Sequence, residues 1–202
     1  MSHQSNPYRR RDAQYLIRKV LIVCEGEKTE PNYFKSFQTS EELIKVEVLG
    51  VGMNTDSLVQ YAVQLKKDAE TKKEPYAEVW CVFDRDSFTK NNFNKAIQIA
   101  KNNQIKRAYS NEAFEIWYIL HFSFHQAAWS RDLYKKKLTG LLCSKYKKND
   151  LNMYAKLNDK QPDAIRHAKQ LLENYGANHN PESDNPCTTV HILVEFLNDY
   201  IE

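Results

Sequence analysis

Short apolar runs alternate with helix-like segments over the first 122 residues, and this order most constrains the fold. Four runs rich in β-branched and aromatic residues predict strands, at residues 20–24, 44–49, 77–83 and 104–109. The segments that follow these runs carry apolar residues at helical spacing. Parallel strands need crossover connections, and those connections are right-handed. The order therefore predicts an α/β fold whose mostly parallel sheet has helices on both faces.

The chain beyond residue 123 loses the strand signal and keeps the helical one. Apolar stripes predict a helix over residues 162–175 and a last helix that Thr188 or Thr189 caps. We therefore expect an α/β domain over residues 15–122, and a helical extension over residues 123–202 that packs on it. Residues 1–14 have the composition of a basic, flexible arm.

Polar residues at two other helix starts predict N-caps. Asp56 or Ser57 precedes an apolar stripe that begins at Leu58, and Ser110 with Asn111 precedes the strongly apolar segment 112–122. Side-chain oxygens at such positions accept hydrogen bonds from the first backbone N–H groups of a helix. Both places are therefore predicted to start helices.

Composition excludes several protein classes. The 202 residues are 42% apolar and 12% aromatic, which is typical of a globular chain and not of a disordered one. No apolar run approaches the roughly 20 residues of a transmembrane helix, and the N-terminus lacks a signal-peptide pattern, so we expect a cytoplasmic protein. The four cysteines are widely spaced, which disfavours a zinc site or a disulfide framework.

Acidic residues follow two of the predicted strands. Glu25 ends the first strand, with Glu27 and Glu30 close behind, and Asp84 and Asp86 follow the third. Ligands of open α/β sheets bind at the carboxyl ends of the strands. Carboxylates that converge there repel one another unless protons or a cation relieve the repulsion. Hard oxygen ligands without His or Cys favour Mg²⁺ or Mn²⁺.

Spacing supports a site but leaves a simpler interpretation open. Asp84 and Asp86 lie two apart, so extended backbone would project both to one side. Gly26 directly after Glu25 allows a sharp turn and a close ligand. Alternatively, the aspartates only complement a helix N-terminus and the glutamates decorate a loop.

A basic run lies between residues 131 and 148. It contains one acid, Asp132, and seven basic residues: Arg131, Lys135, Lys136, Lys137, Lys145, Lys147 and Lys148. Such a run is either a solvated helix face or a surface that binds phosphates. If the protein binds nucleic acid, the run from Arg131 to Lys148 with its six lysines and the arm at Arg9–Arg11 are the expected backbone contacts.

Two residues on the apolar segment 112–122 have open interpretations. Glu115 lies on a helix that is expected to be buried, so its carboxylate either completes the acidic site or pairs with a basic residue. His121 ends the same helix. It is interpreted as a C-terminal cation or a core histidine more readily than as part of the site.

Four segments together resemble the RloB-like family, whose members are found beside bacterial restriction and abortive-infection genes. They are VLIVCEGEKTEPNYF, VWCVFDRDSF, SNEAFEIWYILHF and NPCTTVHILVEFL, and they span nearly the whole chain. The N-terminal part also resembles the Toprim domain of topoisomerases, primases and nucleases. In that domain a Glu-Gly pair after the first strand and an Asp-x-Asp motif after a later strand bind Mg²⁺.

These resemblances imply a Rossmann-like, Toprim-type sheet and roles for particular residues. Glu25, Asp84 and Asp86 match the Mg²⁺ ligands, and Glu25 is alternatively an acid/base. Glu30 matches the second acid of the Glu-Gly-x-x-x-Glu pattern and would serve a second ion. Lys28 is either a phosphate contact or a solvated lysine.

The same resemblances imply a function. It is cleavage of nucleic acid phosphodiester bonds by an anti-phage effector, beside an ATPase partner encoded nearby. The alternative is a non-catalytic or regulatory subunit of a defence complex that works with such an ATPase.

Overall fold

A five-stranded, mostly parallel sheet organises the molecule. The computed structural model describes residues 17–85 and 90–201. The strands are β1 (Arg18–Cys24), β2 (Ile44–Gly50), β3 (Glu78–Asp84), β4 (Lys106–Asn111) and β5 (Cys187–Thr188). Their spatial order is β2-β1-β3-β4-β5; the first four are parallel to their neighbours and β5 is antiparallel to β4. The predicted α/β class and the mostly parallel sheet are confirmed.

Helices follow the strands in the predicted alternation. They are α1 (Thr29–Lys35), α2 (Thr55–Thr71), α3 (Lys90–Asn102), α4 (Glu115–Leu120), α5 (Arg131–Leu141), α6 (Met153–Leu157), α7 (Gln161–Tyr175) and α8 (Val190–Asn198). Single 3₁₀ turns lie at Asn158–Lys160 and Gly176–Asn178. Within the described residues, no helix combines the length and the apolar character that a membrane span requires.

Both faces of the sheet are covered by hydrophobic side chains from helices. Leu21 and Val23 of β1 pack with residues of α2 and α3, whereas Val20 and Ile22 pack with residues of α1, α4 and α8. All four side chains are fully buried. This alternation follows from the two-residue period of a strand, and it explains why β1 is a continuous apolar run in the sequence.

The segment after residue 123 contributes a strand as well as helices. β5 pairs with the end of β4, where the hydroxyls of Ser110 and Thr188 lie 3.0 Å apart. The Asn111 side chain donates to the carbonyl of Glu182 at 3.1 Å. Ser110 and Asn111 therefore do not cap α4, which starts only at Glu115, because their side chains are engaged by the chain around β5.

The cap of α2 also differs from the prediction. The side chain of Asn54, and not that of Asp56 or Ser57, accepts a hydrogen bond from the Ser57 N–H at 2.9 Å. This shift places Thr55 in the first turn, fully buried. Asp86 and the arm at residues 1–14 lie outside the described residues, so their predicted roles stay predictions.

The strand order fixes where a ligand can approach. The chain leaves β1 toward β2 on one side of the sheet and continues from β3 toward β4 on the other. The connections therefore diverge between β1 and β3, whose ends are neighbours: Cys24 pairs with Val82. A crevice outside the carboxyl ends of strands at such a switch point is the usual binding place in open α/β sheets.

Candidate functional site

Glu25 is held at the end of β1 by contacts from two other elements. Its N–H donates to the carbonyl of Val82 at 2.8 Å, which extends the β1–β3 pairing. Its Oε2 accepts the backbone N–H of Asp84 at 3.0 Å, and its Oε1 lies 3.4 Å from the donating Thr55 hydroxyl. The carboxylate is thus oriented by rigid backbone and by a buried side chain.

Glu30 is buried in the first turn of α1, against the backbone of Gly26. A Cβ added at Gly26 would collide with the Glu30 carboxylate, since it would lie 2.9 Å from Cδ and closer still to Oε2. Burial raises the pKa of Glu30, and the negative charge of Glu115 adds to the effect. The Glu-Gly-x-x-x-Glu spacing therefore has a local cause: the glycine makes room for the second carboxylate.

Asp84 ends β3 beside Glu25, with a side chain that is 13% exposed. Its Oδ2 lies 3.3 Å from a guanidinium nitrogen of Arg131, at the start of α5. Its Oδ1 is buried and has no hydrogen-bond donor among the described residues. Burial raises the pKa of Asp84 well above its ordinary value, and the charge of Glu30 raises it further.

Glu115 joins the same cluster from the start of α4. The side chain is 3% exposed, and its Oε1 accepts the hydroxyl of Tyr146 at 3.1 Å. Of the two roles left open by the sequence, Glu115 therefore joins the acidic cluster, and its hydrogen-bond partner is a phenol and not a basic residue. Burial raises the pKa of Tyr146, and so does the charge of Glu115, so the hydroxyl stays a hydrogen-bond donor.

These side chains surround one cavity of about 380 Å³. It is lined by Glu25, Gly26, Glu27, Lys28, Thr29, Glu30, Asp84, Phe114, Glu115, Arg131 and Lys148. The Thr29 hydroxyl donates to the carbonyl of Lys148 at 3.0 Å, which ties the loop after α5 to the start of α1. The lining combines five carboxylates with three cationic side chains, a composition suited to a ligand that carries both a cation and an anionic group.

The basic run divides into two groups. Arg131 and Lys148, at its ends, reach the cavity. Lys135 pairs with Asp132 at 3.0 Å, and the ammonium group of Lys137 lies 5.4 Å from the centre of the Trp129 ring. Lys136, Lys145 and Lys147 are exposed. The middle of the run is thus a surface, and its ends belong to the cavity.

His121 is not among the residues that line the cavity. Its Nδ1 lies 2.8 Å from the carbonyl of Trp117, and burial lowers its pKa to about 4. The ring is therefore neutral at pH 7 and packs edge-on against the Trp117 indole. These contacts match the interpretation of a core histidine.

The donor set fits a hard divalent cation only in part. Among the described residues, no three His, Cys, Asp or Glu side chains are grouped as ready ligands. Mg²⁺, however, is usually held by one or two carboxylates together with waters and substrate phosphates. Glu25 and Asp84 meet that requirement, since they are adjacent and Asp84 Oδ1 has no donor among the described residues. Asp86, the third predicted ligand, lies outside the described residues.

Three residues of the site are not expected in these roles from the sequence. Arg131, which belongs to the basic run expected to contact phosphates, also contacts Asp84. Thr55, which donates to Glu25, and Tyr146, which donates to Glu115, are absent from the predicted site. Thr55 follows the second predicted strand, and this position near a strand end is a weak indication that it belongs to the site. Tyr146 carries no comparable signal.

Comparison with known proteins gives one match. A sequence model of the family described as RloB-like protein matches residues 20–197, which is most of the chain. No curated protein and no solved structure shows a significant match. The residues that carried the sequence resemblance lie within the matched range.

Proposed function

The chain belongs to the RloB-like family, and from this membership and the cavity we propose that it is a Mg²⁺-dependent nuclease that cleaves phosphodiester bonds in nucleic acid. One observation carries the proposal. Glu25 and Asp84 meet at the carboxyl ends of neighbouring parallel strands, and cationic side chains face them across the same cavity. We assign a Rossmann-like, Toprim-type fold to the α/β part on the same grounds.

Glu25 and Asp84 are the residues that would hold the cation. A Mg²⁺ ion held by them would supply Lewis-acid stabilisation of developing phosphoryl charge and would activate a water as nucleophile. The hydrogen bond from the Asp84 N–H fixes one Glu25 oxygen, and Thr55 restrains the other. The Glu25 carboxylate is thus held in position without a ligand, as a preorganised site requires.

Glu30 is proposed to act as a proton donor. Its burial and the nearby Glu115 charge favour the protonated form. A carboxyl group whose pKa is raised by burial can act as a general acid, which donates a proton to a leaving oxygen. In this proposal Glu30 is the proton donor, which replaces the second-ion role that the family resemblance implied.

The cationic side chains bind the substrate backbone. Arg131, Lys28 and Lys148 line the cavity and neutralise phosphate charge. The exposed lysines at 136, 145 and 147 extend this positive surface along α5 and the loop that follows it. Their contribution is electrostatic and independent of base sequence, so binding should weaken steeply with salt.

A second candidate function rests on the contact between Arg131 and Asp84. Because one oxygen of the proposed ligand is already paired with a guanidinium at 3.3 Å, the site is partly neutralised by the protein itself. That arrangement suits a non-catalytic or regulatory subunit of a defence complex. The partner implied by the family resemblance is an ATPase encoded nearby, within an anti-phage defence system.

Metal binding and cleavage, measured separately, test both proposals. Purified protein is titrated with Mn²⁺ by electron paramagnetic resonance and assayed on single- and double-stranded DNA, RNA and tRNA with Mg²⁺, Mn²⁺ or EDTA. We expect metal-dependent cleavage that Glu25→Gln with Asp84→Asn abolishes. Mn²⁺ binding without cleavage, even after addition of the ATPase, would favour the regulatory subunit. Absence of Mn²⁺ binding at millimolar concentration contradicts the metal site.

A further inference from the structure

The outer edge of the sheet is open at β2. Among residues 17–85 and 90–201, β2 pairs with β1 on one side and with no strand on the other. The Leu43 carbonyl accepts the Arg18 N–H at 3.0 Å, and the Val51 N–H donates to the Cys24 carbonyl at 3.1 Å. The odd-numbered residues of β2 therefore bond to β1, and the even-numbered ones turn their N–H and C=O groups outward. The Ile44 N–H donates to the Ser40 carbonyl at 3.0 Å, so the outward groups of Val46 and Val48 are the ones that face a partner strand.

A groove runs along this edge, between β2 and α1. Its volume is about 900 Å³, and its apolar lining includes Phe34, Phe37 and Val46. Large apolar side chains flank it in exposed positions: Ile17 is 52% and Leu43 is 47% exposed. Proteins normally block exposed edges, because unpaired backbone groups beside apolar side chains recruit another strand.

We propose that this edge binds a second copy of the same chain, with the two β2 strands antiparallel and centred on Val46. The sequence Ile-Lys-Val-Glu-Val is complementary to itself in that register. Val46 meets the partner's Val46, and Lys45 meets the partner's Glu47. Both side chains of the ion pair are exposed in the single chain, so each is available to a partner.

The pattern of outward backbone groups supports this register. Val46 turns both its N–H and its C=O outward, so the two copies of Val46 form a hydrogen-bonded pair on the twofold axis. Lys45 and Glu47 then fall in non-hydrogen-bonded pairs, whose side chains approach more closely. Glu47 also accepts the Tyr76 hydroxyl at 2.8 Å, which fixes its carboxylate and leaves lone pairs for the partner's lysine.

The charges favour a second copy over an unrelated strand. A parallel arrangement in the same register would place Lys45 beside Lys45, which is unfavourable. The antiparallel arrangement converts both charges into attractive pairs and lets each copy cover the other's groove. It also points the two cavities toward opposite ends of a continuous sheet, since the carboxyl ends of β1 and β3 then face away from each other.

Charge reversal tests the register directly. Molar mass is measured by analytical ultracentrifugation for the full chain, Lys45→Glu, Glu47→Lys and the double variant. We expect a dimer for the wild type and a dissociation constant raised roughly tenfold or more in each single variant, because like charges then meet. The double variant restores opposite charges and the dimer. A monomeric wild type, or single variants that dimerise normally, would overturn the proposal.

Crosslinking provides a second, independent test. In a Cys143→Ser background, which removes the exposed cysteine, Val46→Cys should form an intermolecular disulfide under mild oxidation. The facing Cα atoms would lie about 5.5 Å apart, within disulfide range. Lys45→Cys is the matched control, because its two copies would lie about 8 Å apart and not crosslink. Equal crosslinking of both variants, or of neither, contradicts the register. Neither test depends on nuclease activity.

Discussion

The backbone N–H of Asp84 donates a hydrogen bond to the Glu25 carboxylate at 3.0 Å. Residues 59 positions apart in the chain are thus joined where β1 and β3 end. Because the donor is backbone, the bond orients Glu25 whatever side chain occupies position 84. Substitution at Asp84 can therefore remove its carboxylate and leave Glu25 in place. Effects on cleavage can then be distinguished from effects on folding.

Asp84→Asn should abolish cleavage and leave the protein folded. The amide keeps the size of the side chain but loses the charge that holds a divalent cation, so we expect at least a roughly 100-fold loss of cleavage rate. Mn²⁺ affinity should fall in parallel. Cleavage rates and Mn²⁺ titrations measure the two effects, and circular dichroism measures the fold.

The exposed Glu70 on α2 supplies the matched control. Glu70→Gln removes the same charge far from the cavity, and its cleavage rate and Mn²⁺ affinity should equal those of the wild type. If Asp84→Asn cleaves as fast as Glu70→Gln, Asp84 is not part of the reaction centre.

Glu30→Gln should stabilise the fold at alkaline pH. Burial raises the pKa of Glu30 in the folded protein, so the folded state binds its proton more tightly than the unfolded state does. The stability that Glu30 contributes is present at pH values below its unfolded pKa and is lost as pH rises through its folded pKa. Glutamine stays neutral throughout, so we expect a gain of about 1 kcal/mol in the free energy of unfolding at pH 8.

The pH dependence of the unfolding free energy distinguishes the loss of the Glu30 charge from a change in side-chain packing. Urea unfolding at pH 4, 6 and 8 should show the difference between Glu30→Gln and wild type shrinking as pH falls, because wild-type Glu30 is then protonated. A difference that does not change with pH would mean that charge is not its cause.

The sequence predicts the parts of the site that come from strand ends and local spacing. Glu25 and Asp84 follow apolar runs that predict strands, although the sequence leaves open whether those strands are neighbours. Glu30 follows Gly26 at a spacing that brings its carboxylate back to the turn. Arg131 reaches the cavity, and Tyr146 reaches Glu115, only through the tertiary packing of α5 and the loop after it, which sequence spacing does not specify. β5 is not predicted from the sequence, because its two residues are too few to show the alternation of a strand.

Gly26→Ala should destabilise the protein, because the new Cβ collides with the buried Glu30 carboxylate. We expect a loss of about 1–3 kcal/mol, the usual cost of overpacking, and slower cleavage. Gly140→Ala is the control: this glycine sits in α5, and nothing lies within 4 Å of the position that an added Cβ would take. Alanine there should be neutral or stabilising by up to about 1 kcal/mol. Equal stability losses in the two variants would show that the Gly26–Glu30 contact is unimportant.

The hydrogen bond between Tyr146 and Glu115 should contribute more to the free energy of unfolding than a surface hydrogen bond does. Tyr146→Phe removes the donor and leaves a carboxylate that is 3% exposed without it, which should cost about 1–3 kcal/mol of unfolding free energy. In a Glu115→Gln background the same substitution should cost less, since the neutral amide tolerates the loss better. Urea unfolding of the two single variants and the double variant gives a coupling free energy, expected to be about 1 kcal/mol. A coupling near zero would show that the hydrogen bond does not hold the loop after α5 to the cavity.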